Sequence, residues 1–472
     1  MKNIYKILFS FIFIVSAVSC DDYLDVNENE NQLVEVPTGT LLLKGTLLAN
    51  AQVQQGHLSR VSMYYTGGLI GLQLVQQTIY DYDYTPGDSD AVWAHIYNGI
   101  LVQNKEIRRI SPGLDLLNGI IDVNEALAIG TAASLFGDVP FSNAVPDGAS
   151  LESPDPTLDA QADVYASLQI LLDGAITKIS TATTSVSEED DIFNEGNKTK
   201  WIEAANTLKA RYYLQTKQYG QALNYVTSGI SSPANTLAYH PIGDVDGNSN
   251  ILHNFVNSSR AGDMTGVGAF YRDLIDPANI SGRNNAKTDE TARRNYSFID
   301  GDGEQTGGID DATTSMKLVS YEENLLIWAE CLLRGNDTPG AIAKLNELRA
   351  HLRSGNAFNN IGGADPLMYD DYVLADFQTG GMENTDNIAV DRAVLREIIE
   401  ERYVTGFSTY LPFNDARRLR ASDSDVMVPF PLNNGTTTIN PQRLLYPQDE
   451  IDGNSNIPNP IPDLFTPTPV NQ

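Results

Sequence analysis

The chain has 472 residues, and its 31 basic and 61 acidic side chains give a formal net charge of −30. Apolar residues make up 42% and charged residues 19% of the sequence, which is a globular composition rather than a disordered or fibrous one. The chain is strongly acidic, and its basic residues form no block longer than a pair. It is therefore not expected to bind nucleic acid or an anionic lipid patch.

Residues 1–19 are predicted to be a secretory signal. Lys2 and Lys6 form a basic start, and the apolar run over residues 7–15 follows them. That run is too short to cross a bilayer, so the segment is a signal rather than a membrane span.

Cys20 follows small residues, and this arrangement resembles the processing site of a bacterial lipoprotein, in which the cysteine is lipidated. An ordinary secretory signal with an incidental cysteine is the alternative. Asp21 and Asp22 resemble the surface-export signal of some outer-membrane lipoproteins. Residues 20–38 are then the lipidated N-terminus and an acidic tether, and residues 39–472 form the folded body.

Helical periodicity dominates the body. Apolar side chains spaced by three and four positions predict helices at Val92–Leu101, Val164–Ile179, Trp201–Thr216, Gln221–Ile230, Tyr321–Leu333 and Pro339–Leu352. The last four form two predicted hairpins that resemble tetratricopeptide-type pairs, although their irregular period does not support a strict repeat array. The strand signal is limited to short pieces near residues 425–431 and 436–439, so the predicted fold class is mainly α.

Cys331 lies within one of these helical patterns and is expected to be a small buried apolar side chain. Three long irregular stretches interrupt the helices, at residues 80–90, 231–315 and 449–472. The second contains a possible helix near residues 269–275, and the third is either a coil on the surface or a loose tail. Compact proteins rarely keep loops of this length unless the loops bind a ligand or partner or are disordered.

Several motifs together resemble the SusD/RagB family of outer-membrane nutrient-binding lipoproteins. Their order and spacing fit nearly the whole chain. They comprise Cys20–Val26, Trp93 with Tyr97, Ile100 and Asn104, Leu135–Phe141, Lys200–Leu214, Tyr321 with Ala329, Glu330 and Arg334, Glu401–Arg402 with Asp415, Arg417 and Arg418, and Arg443–Pro447.

This resemblance implies a SusD-like helical scaffold with tetratricopeptide-like pairs and long ligand-binding loops over residues 39–472. It also implies a partner, a SusC-like TonB-dependent transporter in the outer membrane. The implied function is capture of an oligosaccharide at the cell surface, or of a peptide in some members, without catalysis.

Catalytic motifs are scarce in the sequence. Its five histidines show no zinc-binding spacing, and neither a nucleophile elbow nor a phosphate-binding loop is present. The acidic pairs Glu322-Glu323 and Glu400-Glu401 lie in helical patterns, where solvated or arginine-paired side chains are expected. A surface lipoprotein glycosidase and a ligand-free helical scaffold remain the alternatives.

The first group of candidate ligand contacts lies in the loop at residues 80–90. Tyr80, Tyr82 and Tyr84 alternate with Asp81 and Asp83. Sugars are held by flat aromatic rings beside polar groups, and in an extended chain the three rings share one face. The alternative is that the rings fill the helical core while the acids are solvated.

A second group lies in or near the loop at residues 231–315, where Tyr271, Arg272, Asn285 and Tyr296 are the candidate contacts. The three tryptophans fall in helical segments and are expected to pack in the core instead.

Calcium is a further possibility, with no other cofactor expected. Oxygen-bearing side chains alternate in Asp244-x-Asp246-x-Asn248-x-Asn250 and in Asp300-x-Asp302-x-Glu304. Neither pattern has glycine at its sixth position, so neither is an EF-hand, and solvated turn acids are the alternative.

Overall fold

The computed structural model describes residues 38–145, 155–243, 248–279, 281–300, 306–359 and 365–472. The predicted signal peptide, Cys20 and almost all of the predicted tether lie outside these ranges.

The first third of the described chain is a series of helices with one short strand. A turn of π-helix at His95–Leu101 connects the helices Asp90–Ala94 and Val102–Ile110. The elements are α1 (Thr40–Gln55), α2 (His57–Tyr65), β1 (Ile70–Gly71), α3 (Leu74–Tyr80), α4 (Asp90–Ala94), α5 (Val102–Ile110), α6 (Asp115–Phe136) and α7 (Gln161–Thr181).

The remainder combines longer helices with short elements in the loops. A second π-helical turn, Asn254–Ser259, follows the short helix Ile251–His253. The elements are α8 (Lys198–Gln215), α9 (Tyr219–Val226), β2 (Leu237–Tyr239), α10 (Ile251–His253), β3 (Met264–Thr265), α11 (Phe270–Leu274), α12 (Thr291–Tyr296), β4 (Met316–Val319), α13 (Tyr321–Arg334), α14 (Thr338–Arg353), α15 (Val390–Thr405), α16 (Leu411–Leu419) and α17 (Gln448–Gly453).

Helix α6 forms the centre of the molecule. It is long and apolar enough to cross a membrane by composition, but its apolar window is entirely buried by the surrounding helices, as in the core of a globular domain. Tyr212 of α8 donates a hydrogen bond to the Ala126 carbonyl at 2.6 Å. A Cβ at Gly130 would lie 2.2 Å from the Tyr212 hydroxyl, so glycine allows the two helices to approach this closely.

The predicted hairpins are present as neighbouring helices in a stack. α7 packs between α6 and α8, α9 packs on α8 and α13, and α13 packs on α14 and α15. A small apolar cluster joins α8, α9 and α13 and includes Cys331, which is 2% exposed, so its predicted burial is confirmed. Trp93 and Trp201 are buried as predicted, whereas Trp328 is half-buried beneath the Lys344 ammonium. The mainly α prediction is therefore confirmed.

Strands make a small contribution. β1 pairs antiparallel with β3, and β2 pairs antiparallel with β4. The weak strand pieces at residues 425–431 and 436–439 are not strands. Ser424–Val426 forms a 3₁₀ turn, and the Asn433 side-chain amide instead donates hydrogen bonds to the carbonyls of Tyr64 and Tyr80.

Buried ion pairs hold the later helices together. Arg211 of α8 makes a two-pronged bond to Glu323 of α13. Arg418 of α16 makes another to Glu330 of α13, with both side chains 0% exposed. Removing one partner of such a pair would leave a buried charge without compensation. These contacts therefore fix the relative positions of the helices that they join. The acidic residue Glu323 is therefore arginine-paired rather than solvated.

The long loop at residues 231–315 contains more structure than its pattern predicts. The possible helix at residues 269–275 is confirmed as α11, and β2, α10, β3 and α12 occur in the same stretch. The C-terminal stretch contains α17 and then packs on the body, with Leu464 5% exposed and Thr468 0% exposed.

Candidate functional site

The segment Tyr80–Tyr84 is not extended, so the expectation that its three rings share one face is wrong. α3 ends at Tyr80, and Tyr82 has a φ of 70°, in the left-handed region. This turn separates the rings and carries Tyr82 and Tyr84 into the core, where they are 8% and 6% exposed.

Each buried ring has fixed partners. Tyr82 packs edge-on against Tyr65 and Phe465, and its hydroxyl receives a hydrogen bond from the Asn433 backbone N–H. Tyr84 lies 2.9 Å from the Ser89 hydroxyl, and burial raises its pKa. These contacts correspond to the alternative in which the rings fill the core.

The other members of this group remain at the surface. Tyr80 is half-buried and packs edge-on against Tyr64, while Asp81 and Asp83 are exposed. Their role as ligand contacts stays a prediction.

Three of the four candidate side chains in the second loop make contacts with other side chains of the protein. Tyr271 is 2% exposed and stacks on Phe407 with ring centroids 4.1 Å apart. The Arg272 guanidinium lies 4.3 Å from the Phe298 ring centroid. The Asn285 side-chain amide donates to Glu383 at 2.6 Å. Their side chains therefore support the loop rather than project from it.

Tyr296, the fourth candidate, is different. It is half-buried at the end of α12 and lines three adjoining cavities, which also share Lys317 of β4. We name these cavities together the Tyr296 cleft. The outer cavity has a volume of about 380 Å³, and the two inner ones have volumes of about 80 and 50 Å³.

The outer cavity has both polar and apolar walls and is lined by residues of the β2–β4 pair. Its wall includes Lys200, His240, Ser315, His351, Asn356 and Asn359. The His240 Nδ1 atom lies 2.8 Å from the Ser315 hydroxyl. A volume of several hundred Å³ with a few converging polar groups is the usual size and character of a small-molecule site.

Polar contacts link Lys317, Glu322 and His351 in the wall of the cleft. The Lys317 ammonium donates to Glu322 Oε1 at 2.5 Å, and His351 Nε2 lies 3.3 Å from the same oxygen. Burial opposes ionisation of Glu322, but the charge of Lys317 and the hydrogen bond from His351 together lower the pKa of its carboxyl. Glu322 is thus an anion at neutral pH.

Three buried polar atoms in residues that line the cleft have no hydrogen-bond partner among the described residues. They are Gln55 Oε1, Arg293 Nη1 and Glu322 Oε2. Their side chains are 2%, 3% and 2% exposed, and buried polar atoms of native proteins are nearly always bonded. All three atoms are enclosed by protein, so they do not border the open space of the cleft.

Sequence reasoning found one residue of this cleft, Tyr296, and named Glu322 only as a paired acid. It missed Gln55, Arg293 and Lys317. A lysine between two buried apolar residues, Met316 and Leu318, is the one local signal, since alternation on a strand places it on the opposite face.

The calcium patterns fall partly outside the described residues, since Asp244, Asp246, Asp302 and Glu304 all lie there. Within the described part, no group of three histidine, cysteine or acidic side chains could hold a metal ion. The Asn250 side-chain oxygen caps α10 by accepting from the backbone N–H groups of Leu252 and His253. A calcium site therefore stays an untested prediction.

Comparison with known protein families gives a match over residues 30–408 to the SusD-like model, described as starch-binding and associating with the outer membrane. The chain belongs to the SusD-like family. The SusD/RagB resemblance drawn from the motifs is thereby confirmed. No curated protein matches this SusD-like chain.

Solved structures show the same fold. A SusD/RagB family protein from Bacteroides thetaiotaomicron has a TM-score of 0.65 at 18% identity, covering 89% of this chain and 95% of its own. A SusD homologue from Bacteroides fragilis has a TM-score of 0.67 at 16% identity, covering 92% and 100%. A chitin-binding SusD homologue from Flavobacterium johnsoniae has a TM-score of 0.66 at 17% identity, covering 91% and 98%.

Proposed function

We propose that this SusD-like protein captures an oligosaccharide at the cell surface and holds it in the Tyr296 cleft. The observation that carries the proposal is the cleft itself, where one half-buried ring adjoins a Lys317–Glu322 ion pair and further polar side chains of the outer cavity. Sugars offer an apolar face to a ring and hydroxyl groups to charged side chains. The starch-binding description of the family and the chitin-binding homologue support the same class of ligand.

Binding without catalysis is the simpler chemistry for this cleft. Glycoside hydrolysis needs one carboxyl that keeps its proton near neutral pH and a second that is ionised. The lowered pKa of Glu322 makes it a poor proton donor. The starch-binding description of the family favours binding alone, and we infer that the ligand leaves the protein unaltered.

Calorimetric titration of the purified protein with malto-oligosaccharides and chito-oligosaccharides tests this function. At least one series is expected to bind and to be recovered without new reducing ends. Release of reducing ends would favour the glycosidase alternative. If neither series bound and a peptide mixture did, the ligand would be a peptide.

The location and partner extend the same proposal. We infer that Cys20 is lipidated, that the protein sits on the outer surface of the outer membrane, and that it passes its ligand to a SusC-like TonB-dependent transporter. The outer-membrane association of the family supports this location. The Cys20→Ser variant is expected to leave the membrane fraction, and the wild type is expected to co-purify with a large barrel protein. Unchanged fractionation of the variant would contradict the anchor.

A further inference from the structure

The outer cavity of the Tyr296 cleft contains a lysine that the protein does not neutralise. Lys200 lines this cavity and is half-buried. Its ammonium group has no acidic partner among the residues that the structure describes, although acidic side chains outnumber basic ones by 61 to 31 in the chain. The other lysine of the wall, Lys317, is paired with Glu322.

The ammonium group of Lys200 is accessible and gains no compensation from its helix. Unlike the three unbonded atoms described above, it is not enclosed by protein. Lys200 lies in the first turn of α8, where the helix dipole disfavours a cation, and that turn contains no acidic residue. Neither an ion pair within the described chain nor the helix dipole therefore stabilises this charge.

The two acidic side chains of the same wall leave Lys200 unpaired. Glu322 is held through its Oε1 atom, which contacts both the Lys317 ammonium and His351 Nε2. Glu195 is exposed, lies on the turn before α8 and forms no ion pair with Lys200. Because solvent screens an exposed carboxylate, Glu195 opposes an anion in the cavity only weakly.

His240, in the same wall, adds no further charge at neutral pH. Burial and the nearby charge of Lys200 lower the pKa of its ring, against the opposing effect of Glu195. The neutral ring lies 2.8 Å from the Ser315 hydroxyl through its Nδ1 atom. Among the described residues of this wall, Lys200 is therefore the lysine whose charge has no partner.

We propose that the outer cavity binds an anionic substituent of the glycan, a carboxylate or a sulfate ester, through the ammonium group of Lys200. This inference rests on the proposed function, since it names the substrate class of the same cleft. A hydrogen bond from an ammonium group to an anionic oxygen is about twice as strong as one between neutral groups. The cleft would therefore select acidic glycans over neutral ones.

The acidity of the whole chain does not prevent this binding. At physiological salt, exposed charges more than about 8 Å apart are largely screened, so the net charge of −30 acts weakly on an anion inside the cavity. A half-buried lysine in direct contact with the ligand is screened much less. The local charge of the wall therefore decides the preference.

The experiment is calorimetric titration at physiological ionic strength with maltotriose and cellotriose, each in three forms that differ at carbon 6. The forms are the neutral sugar, the carboxylate obtained by oxidation and the sulfate ester. At least one anionic form is expected to bind about tenfold more tightly than its neutral parent. The tighter of the two anionic forms identifies the substituent. Equal affinities, or tighter binding of the neutral sugars, would overturn the proposal.

Two variants of Lys200 locate the preference in this cavity. Lys200→Gln removes the charge and is expected to abolish the tenfold preference while leaving the affinity for the neutral sugars nearly unchanged. Lys200→Arg retains a cation and is expected to retain the preference. Lys44→Gln is the matched control, because Lys44 is an exposed lysine of α1 and lies outside the cleft. A preference that persists in Lys200→Gln, or that is lost equally in Lys44→Gln, would contradict the assignment.

A variant of Glu195 tests the sign of the charge effect. Glu195→Gln removes the exposed acid of the same wall, so the affinity for the anionic sugar is expected to rise about twofold. Weaker binding of the anionic sugar by this variant would contradict the proposal.

Failure of this inference is distinct from failure of the proposed function. If neutral and anionic sugars bind equally and Tyr296→Ala weakens the binding of all of them, the cleft binds glycans but the anionic assignment is wrong. If no sugar binds in any form, both proposals are contradicted.

Discussion

Two tyrosine-bearing segments of this protein are predicted from the sequence to contact ligand, and their rings lie in different environments. At residues 80–84, Tyr82 and Tyr84 are core side chains with fixed ring and hydroxyl partners. At residues 291–298, Tyr296 borders three cavities. Aromatic rings beside acidic residues in a sequence therefore do not by themselves indicate a binding surface. A ring is a candidate ligand contact only where it borders open space and is not packed within the protein.

The largest expected effect is on stability, from the first segment. Tyr82→Ala removes a buried ring and a hydroxyl that bonds Asn433, and truncating such an aromatic costs roughly 3–5 kcal/mol of unfolding free energy. Urea unfolding measures the loss. The glycan dissociation constant of the protein that stays folded is expected to be unchanged. A changed dissociation constant without a loss of unfolding free energy would contradict this prediction. It would show that Tyr82 contributes to glycan binding rather than to the core.

The next effect is on binding, from the second segment. Tyr296→Ala removes one ring contact, which contributes about 1 kcal/mol, so the affinity for the bound glycan is expected to fall five- to tenfold or more. Calorimetric titration measures it. Tyr225→Ala is the matched control, because Tyr225 is also a half-buried tyrosine on a helix and lies outside the cleft. Equal losses in both variants would show that the cleft ring has no special role.

A cluster of buried charges that includes Arg293 gives a prediction about how stability depends on pH. Arg283 bonds Glu290, Glu397, Glu400 and Glu401, and Arg293 shares two of these acids. Burial, against the attraction of Arg283, raises the pKa of Glu397 from 4.5 to about 8. Its folded form therefore holds a proton that the unfolded form releases above pH 4.5.

Since the folded pKa is raised, the stabilisation from Glu397 is complete below pH 4.5 and is lost as the pH rises through about 8. The Glu397→Gln variant, which mimics the protonated form, is expected to gain stability relative to the wild type at pH 9 but not at pH 5. Urea unfolding at both values measures this difference. A gain that is the same at both pH values would show that Glu397 does not titrate in this range.

The smallest expected effect comes from the exposed acids of the first segment. Replacing Asp81 and Asp83 together by asparagine changes two solvated side chains, so stability is expected to change by less than about 0.5 kcal/mol. Glycan affinity is expected to stay within twofold if the cleft is the whole site. A clear loss of affinity in calorimetric titration would extend the site to this segment.

Much of the scaffold could be predicted because helical periodicity records local burial. The hairpins around Trp201 and Tyr321 and the buried Cys331 follow directly from spacing. The burial of Tyr82 could not be predicted, because it depends on Phe465, almost four hundred residues away in the chain. The cleft could not be predicted either, since Gln55, Arg293 and Lys317 come from distant segments that only the folded chain brings together.

The most direct test of the central claim is a crystal structure of the protein soaked with the oligosaccharide that binds most tightly in titration. The account predicts electron density for a sugar ring against Tyr296, with polar groups within hydrogen-bond distance of Lys317 or Glu322. Density found only beside Asp81 and Asp83, with the Tyr296 cleft holding water alone, would contradict it.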